Sequence, residues 1–311
     1  MTTGPRITVL GAAAGGGSPQ WNCNCPVCRR VRAGEPGAPR RTQTSLALSA
    51  DGNRFALINA SPDLGEQLLR TPSLHPQRDG RHSPIDAVVL TGGEIDEVTG
   101  LLTMREGESF ALYASQTTHD TLAASPIFGA LDQELVPRRR LPMNETIGLS
   151  DGSDKPLDIA VEAFPVPGKI PLYQEDPGVT PEIGALTDAN IALQLSVGDS
   201  RAFFIPGCAD ITEELRQRID GASILFFDGT LWSDDELISA GLGHKTGHRM
   251  GHVSIDGAEG AIAELADIDV ERKIFIHLNN SNPVLLDDSD ERRAVEDRGW
   301  EVAYDGMEIS L

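Results

Sequence analysis

The sequence of 311 residues has no run of the roughly 18 apolar residues that a membrane-spanning helix needs. Its N-terminus enters an apolar segment, 7–10, almost at once and has no stretch typical of a secretory signal. We therefore expect a cytoplasmic protein without a membrane partner. Short-period internal repeats are also absent, which argues against a solenoid.

Positive charge is scarce in this chain. Lysine and arginine number 26 against 47 aspartates and glutamates, which gives a formal net charge of −21. A negative field of this size repels phosphate backbones and attracts cations, so we expect no nucleic-acid partner. The glycine-rich segment 11–17 lacks the Gly-Lys-Ser/Thr of a phosphate-binding loop and the dinucleotide fingerprint, so we interpret it as a tight turn.

Only four cysteines are present, and three of them, Cys23, Cys25 and Cys28, lie within six residues. These three cannot all pair with one another, and Cys208 is the only other cysteine. In a reducing compartment the C-x-C-x-x-C spacing is typical of thiolate ligands to one structural zinc ion, with a fourth ligand from elsewhere in the chain. The alternative is three unrelated thiols in a loop.

An acidic turn follows an apolar segment, 85–90, that we predict to be a buried strand. The sequence LTGGEIDEVTGLL places Glu94, Asp96 and Glu97 just beyond the end of this strand. Loops at strand ends hold functional groups on a rigid scaffold, so these carboxylates indicate a catalytic or metal-binding site. The alternative is a solvated acidic turn.

Two further strand ends carry polar groups of the same kind. Asp228 follows the apolar segment 222–227, and His277 ends the segment 273–277. A single histidine at a strand end is more often structural than a ligand. The polar residues that follow His277 nevertheless favour a functional role.

Candidate cations lie on two loops. The loop 241–254 carries Lys245, Arg249 and His252, and its regularly spaced glycines argue against a continuous helix. Lys169 lies on another loop, between two prolines, where it faces either a substrate carboxylate or water.

The order of the predicted elements, with strands and hairpins first and helices interspersed later, favours an α/β fold. We expect an αββα sandwich of two mixed sheets with outer helices, in a single domain spanning 1–311. Hairpins are predicted over 44–59, and over 300–311 around an Asp-Gly turn. The segment 29–42 is rich in proline, glycine and arginine and is predicted to be a surface loop.

Several long motifs carry a family resemblance. They are GAAAGGGSPQWNCNCPVC, TGGEIDEVTGLL, PVPGKIPLY, PGCADIT, FFDGTLW, KTGHRMGHVS, FIHLNNSNP and YDGMEISL. Together they resemble the coenzyme PQQ synthesis protein B family of the metallo-β-lactamase superfamily, which belongs to the pathway to the redox cofactor pyrroloquinoline quinone (PQQ). The resemblance covers essentially the whole chain. A more distant likeness, through the three-cysteine loop, is to the cyclic phosphodiesterase of the carbon–phosphorus lyase pathway.

The resemblance implies two metal sites. Cys23, Cys25 and Cys28 match the ligands of a structural zinc ion, and Asn280 stands at the position of the fourth ligand. The second site would hold an active-site divalent metal, with iron favoured and manganese or magnesium as alternatives. The residues that match this second centre are Asp96, Glu97 and His277, with Glu94 beside them.

The sequence departs from the family pattern at Glu97, where a histidine is expected. Oxygen ligands favour harder ions, so this departure bears on which metal binds and not on the fold. The second-metal cage of the two-zinc hydrolases is also missing, because Gly168 and Gly207 stand at ligand positions.

The implied function is iron-dependent oxygenation of a tyrosine-derived precursor of PQQ. The substrate would be a small molecule or peptide derived from tyrosine and glutamate. The expected catalytic residues are His252, as the proton-transfer group, Asp228 and Lys169. The residues expected to bind substrate carboxylates are Lys169, Lys245 and Arg249. The alternatives are a non-catalytic PQQ-binding or transport protein and a one-metal hydrolase, and a homodimer is among the expected assemblies.

Overall fold

The computed structural model describes residues 4–176, 178–179 and 182–311. The strands, in chain order, are β1 Arg6–Gly11, β2 Ser45–Ser49, β3 Phe55–Ile58, β4 Ile85–Val89, β5 Ala111–Ala114, β6 Arg138–Arg140, β7 Thr146–Ser150, β8 Pro156–Pro165, β9 Ile191–Val197, β10 Ser200–Ile205, β11 Ala222–Asp228, β12 Val270–Ile276, β13 Trp300–Val302 and β14 Glu308–Ser310. The helices are α1 Pro26–Ala33, α2 Leu64–Arg70, α3 Ile95–Val98, α4 Gln116–Ala124, α5 Glu213–Ile219, α6 Glu236–Ser239, α7 Gly247–Met250, α8 Ala261–Glu264 and α9 Asp290–Glu296. Short 3-10 turns cover Pro72–Leu74, Thr99–Met104, Pro126–Ala130, Leu172–Gln174 and Pro283–Leu285.

The strands form two seven-stranded sheets, in the orders β14-β1-β2-β3-β4-β5-β6 and β13-β12-β11-β10-β9-β8-β7. Both sheets are mixed. In the first sheet, β3 to β6 run parallel and the pairs on the β14 side are antiparallel. In the second, β10 to β13 run parallel and β7 to β10 are antiparallel. The predicted pair of mixed sheets is therefore confirmed.

The sheets pack face to face, with helices on their outer faces, because successive residues of a strand point to opposite sides. In β11, Phe226 points into the core between the sheets, whereas Leu225 and Phe227 point to the outer core beneath the helices. All three side chains are fully buried. A strand that is covered on both faces has a continuous apolar sequence, as segment 222–227 does. Among the described residues, no helix combines the length and apolar character needed to cross a membrane.

The predicted C-terminal hairpin is wrong. β13 lies parallel to β12 in the second sheet, and β14 lies antiparallel to β1 in the first. The chain crosses from one sheet to the other at Asp305, whose carboxylate accepts hydrogen bonds from the backbone N–H groups of Ala12 and Thr42 at 3.2 and 2.8 Å. The apolar pattern correctly indicated two strands, but it carried no information about which sheet each strand joins.

The predicted surface loop over 29–42 is also partly wrong, because α1 occupies its first residues. The side chain of Cys25 caps this helix by accepting from the N–H of Cys28, Pro26 stands in the first turn, and Gly34 ends the helix in the left-handed conformation with φ 65°. Proline at the start and glycine past the end are the usual boundaries of a helix. The cysteine loop therefore leads directly into a fixed element.

The half-buried side chain of Glu236 links α6 to the loop that follows β12. Glu236 accepts hydrogen bonds from the N–H of Trp232 (2.7 Å) and the hydroxyl of Ser281 (2.5 Å). Burial raises the pKa of Glu236 from 4.5 to about 7. The folded protein therefore holds this proton more tightly than the unfolded chain does. The contribution of this proton to the free energy of unfolding is complete below pH 4.5 and is lost as the pH rises through about 7.

Glu236→Gln removes this titration. Between pH 4.5 and 7 the free energy of unfolding of the wild type should fall relative to that of the variant, by roughly 2 kcal/mol. Urea unfolding across this pH range measures the difference. Glu259→Gln, at an exposed position, is the control and should follow the wild type. A constant difference between wild type and Glu236→Gln across the range would contradict the assignment.

Candidate active site and metal centres

The C-terminal ends of the parallel strands β10, β11 and β12 lie at one edge of the second sheet, where Asp228 pairs in register with Ile276, just before His277. The end of β1 meets this edge from the first sheet, because the N–H of Leu278 donates to Ala12 O (3.0 Å) and the N–H of Ala14 donates to Leu278 O (2.8 Å). The two sheets are thus joined by backbone hydrogen bonds at the place where the polar strand ends meet.

Asp96 and His277, separated by 181 residues, are in direct contact, with His277 Nε2 3.1 Å from Asp96 Oδ2. Burial opposes the charged form of Asp96, but the hydrogen bond and the positive charge of His277 outweigh it, and the pKa of Asp96 is lowered. Burial likewise opposes the charged form of His277, and the hydrogen bond and charge of Asp96 raise its pKa. Each member of this half-buried pair therefore favours the charged form of the other.

The backbone and the second ring nitrogen of His277 are both constrained. His277 leaves β12 with φ 60°, a left-handed conformation that is uncommon for a residue with a side chain. Its Nδ1 lies 2.9 Å from the hydroxyl oxygen of Thr230, which also lies 3.0 Å from the carbonyl oxygen of His277. Thr230, which sequence analysis did not single out, therefore orients the ring so that Nε2 faces Asp96.

Asp228 is fully buried and its carboxylate oxygens are all engaged. One oxygen accepts from the N–H of Cys208 (2.9 Å) and from His252 Nδ1 (2.7 Å), and the other accepts from the N–H and hydroxyl of Thr230. This network assigns the Nδ1 proton to His252 and leaves Nε2 for the cavity that His252 lines. The rings of His252 and His277 stack with centroids 5.3 Å apart.

Two sets of donors at this edge could hold a cation. Asp228, His252 and His277 have donor atoms within 4.8 Å of one another. The oxygens of Asp228 and the Nδ1 side of both rings are, however, committed to Thr230, Cys208 and one another. The cavity side, with Asp96 Oδ2 and His277 Nε2, is therefore the better site. A carboxylate and an imidazole in contact fit a divalent transition metal.

Glu97, predicted as a ligand, has both carboxylate oxygens engaged inside the acidic turn. Oε1 accepts from the hydroxyl of Thr91 (2.7 Å), and Oε2 accepts from the N–H of Glu94 (2.9 Å). Burial and the charge of Asp96 raise the pKa of Glu97 to about 7. A Cβ on Gly92 would lie 2.5 Å from Glu97 Oε2, so the glutamate fills the space that a side chain at Gly92 would occupy.

Glu94, the other predicted carboxylate of the turn, faces the neighbouring loop. Its Oε1 accepts from the N–H of Leu172 at 3.1 Å and lies 3.5 Å from Lys169 Nζ. Of the three predicted carboxylates in this turn, all of them within the described residues, only that of Asp96 forms a hydrogen bond with His277. The acidic turn thus separates into one candidate ligand and two residues that hold the surrounding backbone.

The cavity above the Asp96–His277 pair has a volume of about 260 Å³, the size of a small organic molecule. Lys169 and Lys245 line it, together with His252. Lys169 is paired with acidic side chains, and Arg249 is paired with Glu175. For Lys245, by contrast, there is no ion pair in the described part of the chain.

Gly168 and Gly207, which stand at ligand positions of the two-zinc hydrolases, both line the cavity. A Cβ on Gly168 would collide with the side chain of Asn190, and a Cβ on Gly207 would lie 3.5 Å from the ring of His252. Asn190, in turn, donates from Nδ2 to Gly207 O at 3.2 Å. Asn190 therefore fills the space beside Gly168, whereas a Cβ on Gly207 would make only ordinary contact with His252.

The three clustered cysteines are free, and their sulfur atoms lie within 4.8 Å of one another. Asn280 Nδ2 lies 3.3 Å from Cys28 Sγ and 3.9 Å from Cys25 Sγ. Rotation of this amide would present its oxygen to the same cluster. Burial raises the pKa of Cys25 to about 12, which is the cost of a buried thiolate without a cation. The donor set fits zinc, which stabilises thiolates.

Gly92→Ala tests the position of Glu97. The new methyl group would displace the half-buried Glu97 carboxylate from its two hydrogen bonds, so we expect a loss of roughly 2 kcal/mol in the free energy of unfolding. Glu97→Ala should relieve the clash, so that the double variant loses less than the sum of the single variants. Chemical unfolding measures all three. Gly148→Ala is the control, because a Cβ there meets nothing within 4 Å. If the effects of Gly92→Ala and Glu97→Ala on the free energy of unfolding simply add, Glu97 does not lie against Gly92.

A family model described as a beta-lactamase superfamily domain matches residues 54–278. The coenzyme PQQ synthesis protein B of Gluconacetobacter diazotrophicus is 52% identical over 307 residues, covering 98% of this chain and 99% of that protein. The protein of the same name from Xanthomonas campestris pv. campestris is 49% identical over 306 residues, covering 98% and 100%.

Among solved structures, that of Zn²⁺-bound PqqB from Methylobacterium extorquens matches with a TM-score of 0.94 and 46% identity, covering 98% of this chain and 100% of that one. A diphosphatase of the PhnP family matches with a TM-score of 0.67 at 22% identity, which supports the fold alone. The family resemblance and the αββα sandwich are therefore both confirmed. The chain belongs to the coenzyme PQQ synthesis protein B family of the β-lactamase superfamily.

Proposed function

We propose that this protein acts in the biosynthesis of PQQ as a metal-dependent enzyme that oxygenates a tyrosine-derived precursor. The observation that carries the proposal is the contact between Asp96 and His277 on the floor of a cavity, backed by the hydrogen-bonded pair of Asp228 and His252. The names of its relatives support the pathway. The zinc-bound state of the M. extorquens protein supports metal binding.

Asp96 and His277 would hold the active-site metal, and Glu97 would hold the turn that carries Asp96. We favour iron, with manganese or magnesium as alternatives, because non-haem ferrous centres combine carboxylate and imidazole ligands with open positions. When bound, ferrous iron supplies the redox chemistry that O₂ activation requires. Insertion of one oxygen atom into a ring C–H bond consumes O₂, two electrons and two protons and releases water, so a reductant is a further reactant.

His252 is the proposed proton-transfer residue. Its Nδ1 proton is held by Asp228, so its Nε2 can take or give a proton inside the cavity. Lys245 is the proposed primary contact for a substrate carboxylate, and Lys169 a second one. The proposed substrate is a small molecule or peptide that carries tyrosine- and glutamate-derived carboxylates.

The cysteine cluster is proposed to hold a structural zinc ion, with Asn280 as the fourth ligand. A reducing compartment, which we propose to be the cytoplasm, would keep these thiols available for the metal. Asn280 lies three residues after His277 in the same segment. Zinc would therefore fix the segment that also carries the active-site imidazole.

Metal analysis of purified variants tests the two sites separately. Cys28→Ser should lose about one zinc per chain and lower stability, because three donors hold zinc poorly. His277→Ala should retain that zinc and lose the iron taken up after anaerobic loading. Elemental analysis by mass spectrometry gives both counts. Retention of full iron by His277→Ala would refute the active-site assignment, and retention of full zinc by Cys28→Ser would refute the structural one.

The activity is tested by loading the protein with Fe²⁺ without oxygen, then adding O₂, ascorbate and a Glu-Tyr peptide. We expect a product heavier by one oxygen atom, detected by mass spectrometry. His252→Gln should retain iron and form product about 100-fold more slowly, the usual scale of general acid–base catalysis. Absence of oxygenated product from the iron-loaded wild type contradicts the proposal. Loss of iron from His252→Gln would make that histidine a ligand instead.

A second candidate function, a PQQ-binding or transport protein, is favoured by one observation. Lys245 lines the cavity without an ion pair among the described residues, so it is available to a carboxylate of PQQ. Tight binding of PQQ without turnover of a Glu-Tyr peptide would support this function over the first.

A further inference from the structure

Lys169, a cation that lines the cavity, is already held by two carboxylates. Its Nζ lies 3.3 Å from Glu175 Oε1 and 3.5 Å from Glu94 Oε1, and 10% of its side chain is exposed. Arg249 holds Glu175 from the other side through contacts of 3.0 and 3.4 Å. Glu175 therefore bridges two of the three cations that were expected to bind substrate carboxylates.

A short turn that is hydrogen-bonded to the acidic turn positions Glu175 beside these two cations. Its own N–H donates to Leu172 O at 3.2 Å, at the end of the 3-10 turn Leu172–Gln174. This turn is fastened to the acidic turn by the bond from the N–H of Leu172 to Glu94 and by the hydroxyl of Tyr173, which donates to Gly93 O at 2.5 Å. The side chain of Glu175 is 11% exposed. The Glu175–Lys169 ion pair is therefore largely shielded from solvent.

The charges around Lys169 are balanced in this state, since two carboxylates face two cations. A ligand carboxylate added at Lys169 would bring a third negative charge to the same group, which is unfavourable for all three. A ligand carboxylate that replaced Glu175 at Lys169 would keep the balance. Arg249 could retain Glu175 during this exchange, because it binds both oxygens of that carboxylate.

We propose that Glu175 is an internal competitor for the substrate carboxylate. It holds Lys169 when the cavity is empty, and a carboxylate of the ligand takes Lys169 over while Glu175 stays with Arg249. The proposal rests on the proposed function only for the class of ligand, an organic polycarboxylate. Glu175 is not a catalytic residue in this account, because it acts through Lys169.

This competition selects for ligands with more than one carboxylate. A tethered carboxylate competes at an effective concentration on the order of millimolar, so a ligand with one carboxylate gains little by displacing it. Lys245, which has no ion pair in the part of the chain that the structure describes, can accept a first carboxylate without competition. The second carboxylate of the same ligand then competes for Lys169 from within the cavity.

The first test is calorimetric titration of PQQ, a tricarboxylate, and of a Glu-Tyr peptide into the wild type and Glu175→Gln. The variant should bind at least one of them about three- to tenfold more tightly, the range expected for release of one partly buried ion pair. Glu182→Gln, an exposed acid in the same loop, makes the same change in net charge and should bind like the wild type. A purely structural role for Glu175 predicts the opposite result, weaker binding.

Lys169→Met separates direct competition from a general effect of charge. In the Lys169→Met background, Glu175→Gln should have no further effect on the affinity, because the contested cation is gone. A gain that persists in this background would overturn the proposal. Unchanged or weaker binding by Glu175→Gln would do the same, as would the absence of binding of both ligands to both the wild type and Glu175→Gln.

A measurement on the unmodified protein covers the case in which a variant fails to fold. Amide hydrogen exchange, followed by mass spectrometry, should become faster in the peptide that contains Leu172–Glu175 when PQQ or the Glu-Tyr peptide is added. The segment Gly247–Met250 should exchange more slowly. Protection of Leu172–Glu175, or no change there, would contradict release of Glu175 from Lys169.

These outcomes are independent of the proposed chemistry. The titrations and the exchange experiment use protein that retains its zinc but has not been loaded with iron, without O₂, so they report the exchange of carboxylates at Lys169 alone. If oxygenated product never forms but Glu175→Gln tightens binding, the proposed enzymatic function fails and the competitor survives. If product forms and Glu175→Gln binds no more tightly, the competitor fails and the enzymatic function survives.

Discussion

The contact between Asp96 and His277 depends on how the two sheets are joined. Asp96 follows β4 of the first sheet, His277 follows β12 of the second, and backbone hydrogen bonds tie the sheets together at this edge. The N–H of Ile191 donates to Thr91 O at 3.1 Å. The N–H of Leu278 donates to Ala12, and its carbonyl accepts from Ala14, both just after β1. The candidate site thus lies where covalently distant strand ends are held by main-chain geometry, which is more rigid than side-chain contacts alone.

The glutamate in the acidic turn has a physical role that its charge alone does not suggest. Glu97 occupies the space beside Gly92, caps the short helix α3 and accepts from Thr91. Where the family pattern predicts a histidine with a nitrogen donor, this chain therefore has a half-buried carboxylate that supports the turn. On this account the metal depends on Asp96 and His277, and the backbone that carries Asp96 depends on Glu97.

Much of the fold could be predicted from sequence, because apolar segments such as 85–90 and 222–227 mark buried strands without any knowledge of their neighbours. Their pairing could not be predicted in the same way, and β13 and β14 were assigned to one hairpin although they belong to separate sheets. In the site, spacing identified the cysteine cluster and the acidic turn. The contacts of Thr230 and Glu175 were missed, because a threonine at a strand end and a glutamate in an acidic loop have no distinctive local pattern.

The most direct test of the central claim is anomalous diffraction from crystals of the protein loaded with both zinc and ferrous iron. Data collected on either side of the iron and zinc absorption edges locate each metal separately. The account predicts an iron peak within bonding distance of Asp96 Oδ2 and His277 Nε2, and a zinc peak among Cys23, Cys25 and Cys28. An iron peak confined to the cysteine cluster, or no metal beside Asp96 and His277, would contradict it.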